Sequence, residues 1–382
     1  MIVSWFASPS APTTGVFFRD QAEALHRAGA TVGIAYPESR RLRTLSARAV
    51  LESHWQIVEE HLSGVTTLRI AGWNPGVARL RAGVYLAGAD RLVDTYVGRF
   101  GRPDVLHAQA TLWGGVAASH ISRRLGIPFV ITEHFSGFAG GTLRSWEEPI
   151  AVAALQNASA VLAVSTSLAR SLRGLVPHLD VKVVPNMVDT EFFSPLASHR
   201  PTSPYVFLCV GQLVPIKRFD VAIRAFAEAF SDDPGIILRI GGSGPEASSL
   251  ARLAEQVGVV NRVQFLGRLS RVQVRDEMRS ANAFVLSSSV ETFGLVVAEA
   301  QSVGLPAVIT DCGGPEDIVS HSTGLRVTPG NVAELGRAMR QMYEFRTEWA
   351  SRTGTIREST RRRFDSTAVA EQILSCYEYA LS

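Results

Sequence analysis

The chain has 382 residues, 46% hydrophobic and 19% charged, with a formal net charge of +3. These proportions exclude a disordered chain, and the length allows two or three domains, each with its own core. A charge excess this small, confined to the first half, gives no electrostatic ground for nucleic-acid binding.

From the N-terminus, Met1–Phe6 is strand-like, with neither the basic start nor the long apolar core of a signal peptide. Short β-rich runs at 2–6, 31–36, 67–70, 105–107, 129–132, 160–164 and 182–184 then alternate with helical patterns. The segment 194–204 holds three prolines and no periodicity, and reads as a linker. Beyond it the same grammar resumes at 206–210, 236–240, 263–266, 284–287, 307–310 and 325–327. Phe219, Ile223, Phe226 and Phe230 recur there at helical spacing and mark one buried face. Such alternation predicts an α/β protein with two parallel sheets and helices on both faces: an N-terminal domain over 1–195 and a C-terminal domain over 205–360. The final helical segment, 366–382, is expected to pack back on the first domain. No run reaches the roughly 18 apolar residues of a spanning helix. The chain therefore reads as cytoplasmic. Its three cysteines, Cys209, Cys312 and Cys376, are far apart and suit neither a disulfide framework nor structural zinc.

Candidate chemistry is clearest at Glu291-Thr292-Phe293-Gly294-Leu295-Val296-Val297-Ala298-Glu299. The segment follows a strand and opens a helix, so Glu291 lies in the loop and Glu299 within the helix. The N–H groups of Phe293, Gly294 and Leu295 would point out of the helix start, ready for phosphate or sugar oxygens. As plain structure, the same pattern would be an acidic cap and one buried, paired Glu. After the first strand of the second half come Gln212, Lys217 and Arg218; Lys217 is one of two lysines in a chain that otherwise writes Arg, and suits a diphosphate as a compact cation. Gly15 ends a loop after the first strand, and His134 ends another strand of the first domain. Taken alone, each has a structural reading, as a turn glycine and a packed histidine. Gly242-Ser243-Gly244-Pro245-Glu246-Ala247 formally fits a dinucleotide fingerprint, but no ribose-binding acid ends the next strand.

Together these segments resemble the retaining glycosyltransferases of family 4, with the GT-B architecture of two Rossmann-like domains facing a central cleft. The likeness spans nearly the whole chain: the Gly15 loop, Pro103-Asp104-Val105-Leu106-His107, Thr132-Glu133-His134, Val184-Pro185-Asn186-Met187-Val188-Asp189, Gly211 to Lys217, Gly241 to Pro245 and the Glu291/Glu299 pair. The resemblance implies a nucleotide-sugar donor, UDP being the expected nucleotide, and transfer of a hexosyl or N-acetylhexosaminyl group. By the same resemblance Glu299 holds ribose hydroxyls, while Glu291, Thr292 and the Phe293–Leu295 backbone hold the donor sugar. Lys217 neutralises the diphosphate, with help from Gly15, Gln212 and Arg218. The base lies near Gly267, Arg268 and Leu269, and His134 faces the sugar. Neither a metal nor another cofactor is implied, and no Asp-x-Asp occurs in the chain. The chain departs from the family at Gln212, where an Arg is usual, and at Asn186-Met187-Val188-Asp189, where Asn-Gly-Val-Asp is usual. The acceptor, whether glycan, lipid-linked or small-molecule, stays open; Arg40, Arg41, Arg43 and Arg48 suit an anionic lipid-linked acceptor or weak peripheral contact with a membrane surface, and equally a solvated helix. The alternatives are an epimerase or phosphorylase on the same architecture, or a non-catalytic sugar-nucleotide-binding protein.

Overall fold

A computed structural model describes residues 1–6, 15–41, 55–74, 76–196, 201–231 and 233–382. Most of the loop before Gly15, Arg43 and Arg48 of the arginine-rich segment, and part of the proline-rich linker lie outside the described residues. The chain forms two compact units, 1–187 with 366–382, and 188–365. The division therefore precedes the proline-rich segment in which the sequence placed it. Hydrogen bonding explains the difference. The Val188 N–H donates to the Phe364 carbonyl at 2.7 Å, and Thr190 Oγ1 to Asp365 at 2.5 Å. Ser302 Oγ donates to the Phe193 carbonyl at 2.7 Å, so residues 188–194 belong to the second unit.

The first unit holds an eight-stranded sheet of β1 (Ile2–Val3), β2 (Gly33–Arg41), β3 (Ile57–Leu62), β4 (Val65–Asn74), β5 (Leu106–Gln109), β6 (Phe129–Glu133), β7 (Ala160–Ala163) and β8 (Val181–Val183). Its order is β3-β4-β2-β1-β5-β6-β7-β8. β3 alone runs antiparallel, as a hairpin on β4. The sequence reading missed it because Ile57-Val58-Glu59-Glu60-His61-Leu62 is a mostly exposed edge strand without an apolar run. β1 ends at Val3 rather than at residue 6. Ser4 turns to other work: its Oγ accepts the N–H groups of Trp113 and Gly114 at 3.0 and 2.9 Å and donates to the Gln109 carbonyl at 2.8 Å. The helix Ser366–Leu381 buries Val369, Ala370, Ile373 and Cys376 against Ala24 and Leu25 of the helix Val16–Arg27 and against Val130 and Leu162 of the sheet.

The second unit holds β9 (Tyr205–Val210), β10 (Ile236–Gly241), β11 (Val263–Gly267), β12 (Ala283–Leu286), β13 (Ala307–Thr310) and β14 (Gly324–Val327), all parallel. The order β11-β10-β9-β12-β13-β14 reverses direction between β9 and β12. In open α/β sheets ligands bind at the carboxyl ends of the strands beside such a reversal. Phe219, Ile223 and Phe226 of the helix Phe219–Ala229 are buried against the sheet, with Phe230 just beyond its end. In the first unit the corresponding reversal lies between β1 and β5.

Candidate active site

Two loops leave the sheet of the second unit at its reversal point. The loop after β9 carries Gln212 and the 3₁₀ turn Pro215–Lys217; the loop after β12 carries Ser287, Ser288, Ser289 and Glu291. Backbone and hydroxyl groups tie them together. The Ser289 N–H donates to the Ile216 carbonyl at 2.9 Å, and Ser287 Oγ to the Lys217 carbonyl at 3.0 Å. With the loops so held, Lys217 Nζ forms an ion pair with Glu291 Oε1, and Ser288 Oγ donates to the same oxygen at 2.9 Å. A third loop, after β13, closes on the Glu291 backbone. Its N–H donates to the Cys312 carbonyl at 2.9 Å, and its carbonyl accepts from Gly314 at 3.0 Å. A side chain at Gly314 would collide with the Phe293 backbone at 2.3 Å.

Glu291 is thus held on both sides directly before the helix Leu295–Ser302. Gly294 enters that helix at φ +86°, the left-handed region that a glycine adopts without strain. Phe293 sends its ring into the core, edge-to-face with Phe364 at 5.6 Å, so only its backbone is left for a ligand. The N–H groups of Phe293, Gly294 and Leu295 donate to no other described residue. An ammonium, a carboxylate and an open helix start thus share one loop cluster. Such a cluster can hold an anion and hydroxyl groups together. Thr292 is half-buried beside Glu291, and Glu299 is half-buried one turn into the helix.

The other predicted residues of this unit sit on neighbouring strand ends. Gln212 is exposed. Arg218 takes a left-handed conformation at φ +49° and grips Asp220 through two hydrogen bonds of 3.0 and 3.1 Å, so its charge is already engaged. Gly267, at φ +68°, accepts the Gly242 N–H at 2.7 Å; Arg268 is exposed, and Leu269 packs over Gly241. The glycines of Gly241 to Gly244 serve the backbone. The Gly211 and Leu213 N–H groups donate to the Gly241 and Ser243 carbonyls at 3.0 Å. A Cβ at Gly242 would lie 1.8 Å from the Gly211 oxygen, and one at Gly244 2.3 Å from that of Leu213. Close strand-loop contact accounts for this motif without a dinucleotide.

In the first unit Gly15 caps the helix Val16–Arg27 at φ +66°, where a Cβ would approach the Trp5 carbonyl at 2.9 Å. That helix sets Phe17 and Phe18 against the His134 ring, with centroids 5.2 and 5.1 Å away. Burial pushes the His134 pKa down to about 3, which a neighbouring Asn186 side chain only partly opposes. The ring is therefore neutral at ordinary pH. Its Nε2 meets Gln109 Oε1 at 2.8 Å, and Nδ1 is buried on the other side of the ring. The turn is pinned by Glu133, a fully buried carboxylate that accepts the N–H groups of Thr111, His134 and Phe135 at 2.8, 2.7 and 2.6 Å. Burial raises the pKa of Glu133 and those bonds work against the rise. Glu133, Gln109, Ser288 and Gly314 were not selected from the sequence. The run Ser287-Ser288-Ser289 after a strand, and Gly313-Gly314-Pro315 after the next, were the available signals.

Among the described residues no group of three or more His, Cys, Asp or Glu side chains is arranged to hold a metal ion. No described helix is long and apolar enough to cross a membrane.

Comparison with known proteins places both units. Residues 14–192 match the model of glycosyltransferase family 4, and residues 194–359 that of glycosyl transferases group 1. A D-inositol 3-phosphate glycosyltransferase of Frankia alni is 31% identical over 312 residues, spanning 73% of this chain and 75% of that protein. A glycogen synthase of Mycobacterium tuberculosis is 29% identical over 312 residues, spanning 79% of this chain and 73% of the other. The fold matches sucrose-phosphate synthase of Thermosynechococcus elongatus with a TM-score of 0.80 at 22% identity, covering 99% of this chain and 97% of that one. Anabaena HepE, solved in complex with UDP, matches with a TM-score of 0.75 at 20% identity, over 98% of each chain. With a relative above 30% identity covered over three quarters of its length, and with both units matched in order, the chain belongs to glycosyltransferase family 4 and is a glycosyltransferase of GT-B architecture.

Proposed function

We propose that the protein transfers a hexosyl or N-acetylhexosaminyl group from a nucleotide sugar, UDP being the favoured nucleotide, to a hydroxyl acceptor with retention and without a metal. The observation that carries this reading is the Lys217–Glu291 pair beside the open N–H groups of Phe293, Gly294 and Leu295. A diphosphate needs a cation and fixed donors; a sugar needs a carboxylate to accept from its hydroxyls. HepE, a structural neighbour, has been solved with UDP-glucose, which supports the choice of donor.

In this mechanism the bond between the anomeric carbon and the diphosphate oxygen breaks first. Lys217 and the helix start stabilise the charge that develops on the departing phosphate. The acceptor oxygen attacks the face from which the diphosphate leaves, and its proton passes to a phosphate oxygen. Glu291 and Thr292 orient the sugar, Glu299 takes the ribose hydroxyls, and Gly267, Arg268 and Leu269 flank the base. The acceptor is a glycan, a lipid-linked saccharide or a small metabolite. Hydrolysis and thermal-shift measurements across UDP- and GDP-linked sugars test the donor class; no stabilisation and no hydrolysis with any of them would overturn it.

Activity is expected to persist in EDTA, because Lys217 and the helix start supply the positive field at the diphosphate. Loss of activity on chelation, restored by manganese, would mean that a metal does this work.

Gln212 supplies a neutral amide where the family usually has Arg, and Arg218 is engaged with Asp220. Gln212→Arg is expected to tighten binding of the free nucleoside diphosphate by about tenfold, with a smaller effect on turnover, because charge on the phosphate is greatest in the departed product. Unchanged diphosphate affinity by calorimetry would show that position 212 does not face the phosphate.

A further inference from the structure

A cavity of about 550 Å³ lies between the helix Ala78–Phe100, the final helix Ser366–Leu381 and the starts of β1, β2 and β5. Every residue around it belongs to the first unit. It opens at the amino ends of the parallel strands, whereas substrates of open α/β sheets bind at the carboxyl ends. The volume is that of an ordinary small-molecule site. Ile34, Val93 and Leu106 form buried apolar walls, and the rings of Tyr96 and Phe100, with centroids 5.0 Å apart, line one side. Phe100 is 46% exposed, so part of that aromatic wall is free for a ligand. Arg102 and Asp104 are exposed at the rim and give it no net sign, which favours an uncharged occupant.

The group that would orient such a ligand is Tyr377. It lines the cavity together with His107, and its hydroxyl meets His107 Nδ1 at 2.6 Å. The direction of that bond follows from the far side of the imidazole. Gln109 donates its amide N–H to Gln21 Oε1 at 2.5 Å and turns Oε1 to His134 Nε2 at 2.8 Å. The same NH₂ group faces His107 Nε2 at 3.3 Å, and Thr132 Oγ1 faces it at 2.7 Å, so this nitrogen accepts. Burial holds the His107 pKa well below the ordinary histidine value, so the ring is neutral and its one proton sits on Nδ1. Nδ1–H then donates to the Tyr377 oxygen. The hydrogen of the Tyr377 hydroxyl is left without an acceptor among the described residues. Burial raises the Tyr377 pKa, so the hydrogen stays in place. Buried hydroxyl donors in folded proteins are nearly always bonded.

We propose that this cavity is a ligand site separate from the sugar-transfer site, for an uncharged aromatic molecule that carries a carbonyl: the ring packs against Tyr96 and Phe100, and the carbonyl oxygen accepts the Tyr377 hydrogen. The proposal is independent of the donor and acceptor readings above. A ligand at the amino ends of the strands takes no part in the transfer chemistry, so its role is that of an effector rather than a substrate.

The test titrates the full chain by fluorine NMR with two probes of the same shape, para-fluoroacetophenone, which has the carbonyl, and para-fluoroethylbenzene, which lacks it. The wild type is expected to bind the ketone saturably with a Kd below about 1 mM, and at least about fivefold more tightly than the hydrocarbon. Tyr377→Phe should abolish that preference by weakening the ketone alone, leaving the hydrocarbon within about twofold. Phe100→Ala, at an exposed position, should weaken both probes by at least about threefold, and it serves with the wild-type preference if Tyr377→Phe does not fold. Absence of saturable ketone binding by about 1 mM overturns the proposal, as does equal or tighter binding of the hydrocarbon to the wild type. Undiminished ketone affinity in Tyr377→Phe removes the hydroxyl from the site. Undiminished affinity for both probes in Phe100→Ala places them elsewhere on the molecule, and either result overturns the proposal as well.

Discussion

Lys217→Ala and Glu291→Ala are each expected to lower turnover by at least about tenfold with the fold intact, and to move nucleoside diphosphate binding in opposite directions. The charge-assisted contacts they would remove are worth roughly 1.5–3 kcal/mol each. At 27% and 12% side-chain exposure the two groups are partly shielded from water, so the pair is more than a screened surface contact. On the proposed reading, Glu291 pairs with the same ammonium that would hold the diphosphate. Removing the carboxylate frees Lys217, so Glu291→Ala should bind free UDP as tightly as the wild type or more tightly, while failing to orient the sugar. Lys217→Ala should bind UDP more weakly and leave the carboxylate with Ser288. Turnover paired with UDP calorimetry reads both effects. Near-normal rates in both variants with unchanged melting would remove the pair from the site. Equal weakening of UDP binding in both would show that Glu291 does not compete for the lysine.

Gly242→Ala is expected to destabilise the second unit by about 3–5 kcal/mol or to prevent its folding, the largest stability effect anticipated for a single methyl group here. The new Cβ would lie 1.8 Å from the Gly211 oxygen, a backbone atom that no rotamer change can move, and the residue sits at φ +149°. Displacing Gly211 would also break its N–H bond to the Gly241 carbonyl and disturb the loop that leads to Gln212 and Lys217. Gly354 provides the control: it lies in the helix Thr353–Phe364 with nothing within 4 Å of its Cβ position, so Gly354→Ala should gain about 0.5–1 kcal/mol. Denaturant midpoints for the two variants decide. If Gly242→Ala melts like the wild type and loses only ligand affinity, the glycine serves a bound phosphate rather than the backbone.

What the sequence by itself determined is local. The six strands of the second unit were legible because each holds a short, mainly apolar run bounded by turn residues; the central four, β9, β10, β12 and β13, are buried as parallel strands within a sheet must be. The same holds for Glu291 and Glu299: their spacing around one turn assigned one to a loop and the other to a helix. Polar or pairing-dependent features were not legible. β3 escaped because an exposed edge strand needs no apolar run, and the unit boundary because hydrogen bonds to residues 302, 364 and 365, rather than prolines, decide where the chain changes partners. Only the tertiary structure decided the site itself. Lys217 and Glu291 are 74 residues apart, and the order β9-β12 at the centre of the sheet makes them neighbours. His134 stood out as a strand-end residue, but its neutrality comes from burial, with the rings of Phe17 and Phe18 packed against it. Periodicity records what each residue does to its own strand or helix; charge state and hydrogen-bond direction depend on what other strands bring alongside, and strand order carries no signature in spacing.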